Sequence, residues 1–302
     1  MRVQRFLTVG VFGALLATSG WGSTLLWGNN ATFGNVTLEE FNSATGNLVE
    51  QFLAPNLTAR ADNGRGVAVA NNGNIYYTTA DSGNVYLTKD PGCALGSSYL
   101  TCTATDMGVA FVCTPCNGSI STITFDGADL FVTSYTTGGD AAEYTTGGTL
   151  IKTIPGFVGT GKDGFEVITR GGQTEVISNC GDACGTYSLY DINGNLLQAN
   201  FIVTGKEETG VTYDGTNFYT SDIFNNKIDV WDNNGTYVRT ITLGGPLPPT
   251  SSGRLIEDLS ALGNTVQNTS TPEPASIALV GTVIGAGAIV LRRRRGNKKE
   301  AA

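Results

Sequence analysis

Between residues 41 and 241 one pattern of hydrophobic and polar positions returns four times. Residues 41–52, 144–154, 190–201 and 231–241 each open on an aromatic side chain (Phe41, Tyr144, Tyr190, Trp231) and cross a polar turn that closes on glycine (Gly46, Gly148, Gly194, Gly235). Each then runs into an apolar stretch such as Leu196 and Leu197. An aromatic strand end, an Asn/Thr/Gly turn and a second apolar strand spell a β-hairpin. A further element precedes hairpins of this kind. It opens at Gly66, Thr122, Gly164 and Gly210, and in three cases a turn and another strand follow, over residues 74–78, 129–133 and 217–220. Successive openings lie 56, 42 and 46 residues apart. A period near 45 with about four short strands per unit predicts the blades of a β-propeller.

The ends of this body fit the same scheme. Residues 25–52 match the later strands of a blade and lack its first, whereas residues 255–262 supply one strand, a period after Gly210, with none following. The two fragments complete one blade, so the ring closes by pairing the C-terminal strand with the N-terminal strands, which removes an exposed sheet edge. The prediction is an all-β propeller of five four-stranded blades, or six if the divergent stretch 86–118 hides another. An irregular β-sandwich of similar strand content is the alternative. The unit over residues 210–241 resembles an NHL-type propeller blade.

Two apolar runs stand outside the repeat. Residues 1–22 join Arg2 and Arg5 to an apolar stretch from Phe6 to Ala17 and then small residues, the make-up of a secretory signal peptide cleaved after Ser19 or Gly22; a retained anchor is the alternative. Residues 275–291 are uncharged and mostly apolar, close to the shortest helix that crosses a bilayer, and end at Arg292, Arg293, Arg294 and Arg295. Basic residues beside a span stay cytoplasmic, so this cluster predicts a stop-transfer element with everything before it exported. Gly281 and Gly285 form a GxxxG pair of little weight in so glycine-rich a span.

Pro272, Glu273 and Pro274 stand just before the span. Pro-Glu-Pro, a short hydrophobic helix and an arginine cluster, in that order at the end of a chain, resemble the PEP-CTERM sorting signal of Gram-negative surface proteins. The resemblance covers residues 272–295, with 296–302 extending a little beyond the arginines as a cytoplasmic tail. It implies processing by a membrane-embedded exosortase, a transient inner-membrane intermediate, and a final place at the cell surface or in the extracellular matrix with exopolysaccharide and biofilm. An ordinary, permanently anchored single-span protein is the alternative. Residues 23–264 are then the exported propeller and 265–271 a polar linker.

Charge changes the picture once the ends are set apart. The whole chain of 302 residues has 18 basic and 26 acidic side chains, a net −8. Two arginines leave with the leader, and four arginines, two lysines and two glutamates leave with the tail. The exported body keeps 10 basic and 24 acidic residues, a net −14. Such a body lacks the basic face that nucleic acid requires. There is no histidine, which excludes histidine-based acid–base catalysis, triads and histidine-held metals.

Candidate chemistry is correspondingly sparse. Cys93 with Cys102, Cys113 with Cys116, and Cys180 with Cys184 lie in the exported part and predict three local disulfides, although six cysteines permit 15 pairings. The Cys113–Cys116 spacing is also that of redox motifs, but its strand-like flanks are not the helix start such motifs use. Asp163, Glu166, Glu207, Glu208 and Asp222 sit near inner strand ends, where a carboxylate-dependent glycan hydrolase or lyase would hold its pair; their spacing singles out no acid and nucleophile. Asp191, Asn193 and Asn195, and Asp232 with Asn234, alternate as calcium ligands do, yet they stand at hairpin turns and lack the bidentate glutamate. Asn30, Asn35, Asn56, Asn117, Asn234 and Asn268 fall in Asn-x-Ser/Thr sequons. The sequence therefore predicts a non-catalytic surface module without cofactor or metal, and the sorting-signal resemblance implies exopolysaccharide or surface proteins as its partners.

Overall fold

A computed structural model describes residues 24–261 apart from 32–36, 56–62, 81, 136–139, 158–161, 182–183 and 248–252. The chain divides into two compact units, Met1–Thr265 and Val266–Ala302, and the described residues all belong to the first. The predicted signal peptide over residues 1–22, the Pro272–Glu273–Pro274 motif, the predicted span and Arg292 to Arg295 lie outside them. Among the described residues no helix is long and apolar enough to cross a membrane.

The strands in chain order are β1 (Leu25–Asn30), β2 (Thr37–Asn42), β3 (Leu48–Leu53), β4 (Gly64–Val69), β5 (Asn74–Thr79), β6 (Asn84–Lys89) and β7 (Val109–Val112). After a 3-10 turn at Thr114–Cys116 come β8 (Ile120–Phe125), β9 (Asp129–Ser134), β10 (Ala141–Thr145), β11 (Leu150–Ile154), β12 (Phe165–Arg170) and β13 (Gln173–Asn179). The series ends with β14 (Thr186–Asp191), β15 (Leu196–Val203), β16 (Val211–Tyr213), β17 (Phe218–Asp222), β18 (Lys227–Trp231), β19 (Tyr237–Thr242) and β20 (Ile256–Ala261). They form five antiparallel four-stranded sheets: β4 to β7, β8 to β11, β12 to β15, β16 to β19, and a closing blade in the order β20-β1-β2-β3. The innermost strands β4, β8, β12, β16 and β20 touch in sequence, and β20 touches β4 again, so the ring is complete.

Stacking sheets face to face around an axis buries both faces of the inner strands, which is why β20 is buried at every residue and β11 and β15 are largely exposed. The apolar core is correspondingly divided among five clusters, one for each junction between neighbouring blades. The cluster between the fifth and closing blades, for instance, joins Tyr219 and Ile228 to Leu26, Phe41 and Leu259.

The four hairpins read from the sequence are the outer hairpins of four blades. In each, the register shifts immediately before the aromatic residue, between Glu40 and Phe41, Glu143 and Tyr144, Leu189 and Tyr190, and Val230 and Trp231. Each bulge turns an aromatic ring into the blade junction. The turn glycines have positive φ and lie against the outer strand of the preceding blade, as Gly235 does on the Phe201 carbonyl.

Residues 86–118 do not form a sixth blade. The second blade has the same bulge before Tyr86, but its outer hairpin is opened by an insertion, residues 90–108, between β6 and β7. A disulfide joins Cys93 and Cys102 inside the insertion, with Cα atoms 5.8 Å apart. The insertion lies along the edge of the closing blade: the Gly96 amide donates to the Val49 carbonyl (2.6 Å), the Gln51 amide to the Ser97 carbonyl (3.1 Å), and the Cys93 amide to the Glu50 carboxylate (2.5 Å). The other predicted pairs, Cys113–Cys116 and Cys180–Cys184, are also disulfides, and no described cysteine is free.

Candidate functional site

The repeat itself builds the mouth of the central channel. In the column just before the aligned positions Gly66, Thr122, Gly164, Gly210 and Asp258 stand Arg65, Ser121, Asp163, Thr209 and Glu257, one from each blade. Ring closure brings four of these side chains together. The Arg65 guanidinium pairs with Glu257, lies 3.6 Å from Asp163 Oδ1, and stacks over the Tyr135 ring at 5.1 Å. Ser121 Oγ donates to Asp163 Oδ1 (2.8 Å). Beneath them Asp258 Oδ2 accepts from Thr122 Oγ1 (2.5 Å) and the Val67 amide (3.1 Å). Burial pushes the Asp258 carboxyl well above the usual range despite those donors. Farther along, Thr212 Oγ1 donates to Glu166 (3.3 Å) and accepts from the Ala261 amide (3.0 Å), while Ser260 accepts from the Val69 amide (3.1 Å). Polar bonds thus link the inner strands, some between neighbours, as Thr212 does, and others past an intervening strand, as Asp258 does to Thr122, each satisfying a group that burial would otherwise penalise.

Removing Arg65 takes the paired cation away from two buried carboxylates. Arg65→Met is expected to lower stability by about 1.5–3 kcal/mol, the scale of hydrogen bonds to charged groups. Urea denaturation checks the loss, and a second change, Glu257→Gln, should return part of it.

The sequence-derived carboxylates separate into four settings. Asp163 and Glu166 face the channel, held by Ser121 and Thr212. Glu208 is fully buried at the junction of the fourth and fifth blades, and burial, with Asp229 adding, lifts its pKa to about 8. Lys206 bridges that pair from the surface, 2.6 Å from Asp229 and 3.9 Å from Glu208. Glu207 is exposed, and Asp222 ends β17, accepting from the Asn225 side chain (2.8 Å). Lys162, beside Asp163, is also buried; its Nζ donates to the Asn179 carbonyl (3.2 Å), and desolvation lowers its pKa to about 8.

The alternating Asp/Asn loops are turns. Asp191 Oδ1 accepts the amides of Asn193 and Asn195 (both 2.9 Å), and Asp232 Oδ1 those of Asn234 (2.8 Å) and Thr236 (2.9 Å). Hydrogen bonds from Asn195 and Thr236, respectively, lead the causes that hold these two carboxyls below the usual range. Glu50, Cys93 and Cys102 are the one convergent group of metal-binding residue types among the described residues, but both sulfurs are in a disulfide.

No protein-family model matches the chain, and no curated protein does. Among solved structures it is similar to a chain of a nidogen/laminin complex, at 13% identity over 81% of this chain and 100% of that one, with a TM-score of 0.49. It is also similar to a protein of unknown function from Bacteroides caccae (13% identity, 80% and 99% covered, TM-score 0.45). A functionally unknown protein from Desulfotomaculum acetoxidans is a third (12%, 72% and 67%, 0.39). The propeller assignment rests on this chain's own strand order.

Proposed function

We propose that this chain is an exported, non-catalytic propeller module, sorted through its C-terminal tail by an exosortase-type enzyme and placed at the cell surface or in an exopolysaccharide matrix. The observation that carries the reading is the set of three disulfides pinning connections of one compact domain, chemistry that persists in oxidising compartments. It agrees with a leader ahead of the domain and with Pro272, Glu273, Pro274, an apolar run and four arginines behind it. The partners in this reading are the processing enzyme, the inner membrane in passing, and exopolysaccharide or other surface proteins. Intact mass of the protein isolated from the surface of an exosortase-bearing cell is expected to lack both residues 1–22 and the tail after the Pro-Glu-Pro motif. A mass that retains residues 275–302 would identify a permanently anchored single-span protein instead.

A further inference from the structure

We propose that Glu40, Glu50 and Asp90 form a carboxyl latch that holds the insertion on the closing blade in acid and releases it in alkali, uncovering the outer edge of β3. Glu40 and Glu50 are register partners on β2 and β3, and both are almost wholly buried. Like charges directly opposite one another on a sheet repel. Asp90, at the root of the insertion, brings a third carboxyl against Glu50, a contact that binds only when one of the two carries a proton. Glu50 also accepts the Cys93 amide of the insertion, a bond that by itself favours the charged carboxylate and that burial and the neighbouring carboxyls outweigh. Around this cluster β1 contributes the Trp27 indole beside Glu40, and the insertion contributes the Cys93 amide. The charges acting on the two glutamates are those of Asp90 and, for Glu50, Glu40, and no described Lys or Arg forms an ion pair with either.

Burial first, and the neighbouring carboxyls second, raise the pKa of Glu40 to about 7 and that of Glu50 to about 8, from 4.5. A carboxyl whose folded value is raised favours the fold fully below its unfolded value, and that contribution is lost as pH rises through the folded one. Docking is therefore firm near pH 5 and weakens between about 7 and 8. Apart from the carboxyls, the described attachments to the closing blade are the backbone bonds at Gly96 and Gln51 and the Cys93–Cys102 bridge, whose Cys102 is buried in the apolar cluster of Trp27 and Phe52, so release is a local opening of the segment between the two cysteines that leaves the strand pairing of the blades in place. The exposed Leu95 and Leu100 would move with it, and the edge carrying Leu48 and Val49 would become free to pair.

Amide hydrogen exchange in the purified full chain tests this, expressed as protection factors so that the pH dependence of intrinsic exchange cancels. Between pH 6 and 9 protection of the Gly96, Gln51 and Cys93 amides is expected to fall about tenfold or more, a tenfold step per unit beyond a raised pKa, while Tyr219 in β17 stays constant. Glu40→Gln with Glu50→Gln should flatten the profile. Constant protection in the native chain, or the same fall in the double variant, overturns the latch. Should the double variant fail to fold, Glu40→Gln alone decides: loss of a fluorescence transition of Trp27 near pH 7 supports the latch, and its persistence overturns it.

Discussion

Replacing Arg254 by methionine is expected to cost the fold about 3–5 kcal/mol, the loss typical of breaking a buried ion pair from one side. Arg254 precedes β20, and its Nε donates to Glu39 Oε2 on β2 at 2.7 Å, with side-chain exposures of 2% and 0%. The same guanidinium donates to the Pro246 carbonyl (2.5 Å) and lies over the Phe41 ring at 5.5 Å. The Asn30 side-chain Nδ2 (3.1 Å) and the Thr37 hydroxyl (2.9 Å) donate to Glu39 Oε1 and complete its shell. Burial lifts the Glu39 carboxyl even with the arginine present, so without it the site holds either an unpaired charge or a neutral acid in a cavity. At about 2–4 °C per kcal/mol for a domain of this size, melting should fall by roughly 10 °C. The penalty should shrink in acid, where Glu39 protonates. Arg254→Met with Glu39→Met should recover most of it, because removing both partners leaves no stranded charge. A single variant within about 0.5 kcal/mol of the native chain, as inert surface changes are, would show that ring closure does not depend on this pair.

That contact also marks where the sequence stops being legible. Glu39 and Arg254 are 215 residues apart and belong to no common motif. What local spacing does reveal is the blade: an aromatic residue, a polar turn and a glycine lie within a few residues of one another, and the hairpin they make is local. The composite closing blade was legible for the same reason, since β20 and β1 each match a known part of the repeat. The second blade was obscured because its insertion separates Tyr86 from any turn glycine, although the bulge before Tyr86 survives. The channel mouth was partly legible. Asp163 was placed there, but Arg65, Ser121 and Glu257 were missed. They share one column of the repeat, and reading that column across blades would have found them. Their chemistry differs from blade to blade because a ring needs complementary partners, and that hides the column from a search for identical residues.

The inner ring itself sets the second large effect. Gly210→Ala is expected to destabilise by about 3 kcal/mol or more, at the upper end of overpacking costs. A Cβ there would stand 2.6 Å from Asp258 Cα and 2.9 Å from the Glu257 carbonyl, and at Gly164 it would stand 2.1 Å from the Thr209 carbonyl. These neighbours are backbone atoms on or just before the adjoining inner strand, not the ends of flexible side chains. With five blades closed into a ring, shifting one inner strand outward strains two junctions at once, including the Thr122–Asp258 and Thr212–Ala261 bonds that cross the channel. Gly147 provides the control: no positive φ is required there, and its nearest neighbour would be the Thr145 hydroxyl at 3.8 Å. Gly147→Ala should be neutral or stabilising by about 0.4–1 kcal/mol through the unfolded chain. Equilibrium urea denaturation of the two variants separates the cases. If Gly210→Ala matched Gly147→Ala, the inner strands would have room to spare, and close backbone approach could not be what holds the blade number at five.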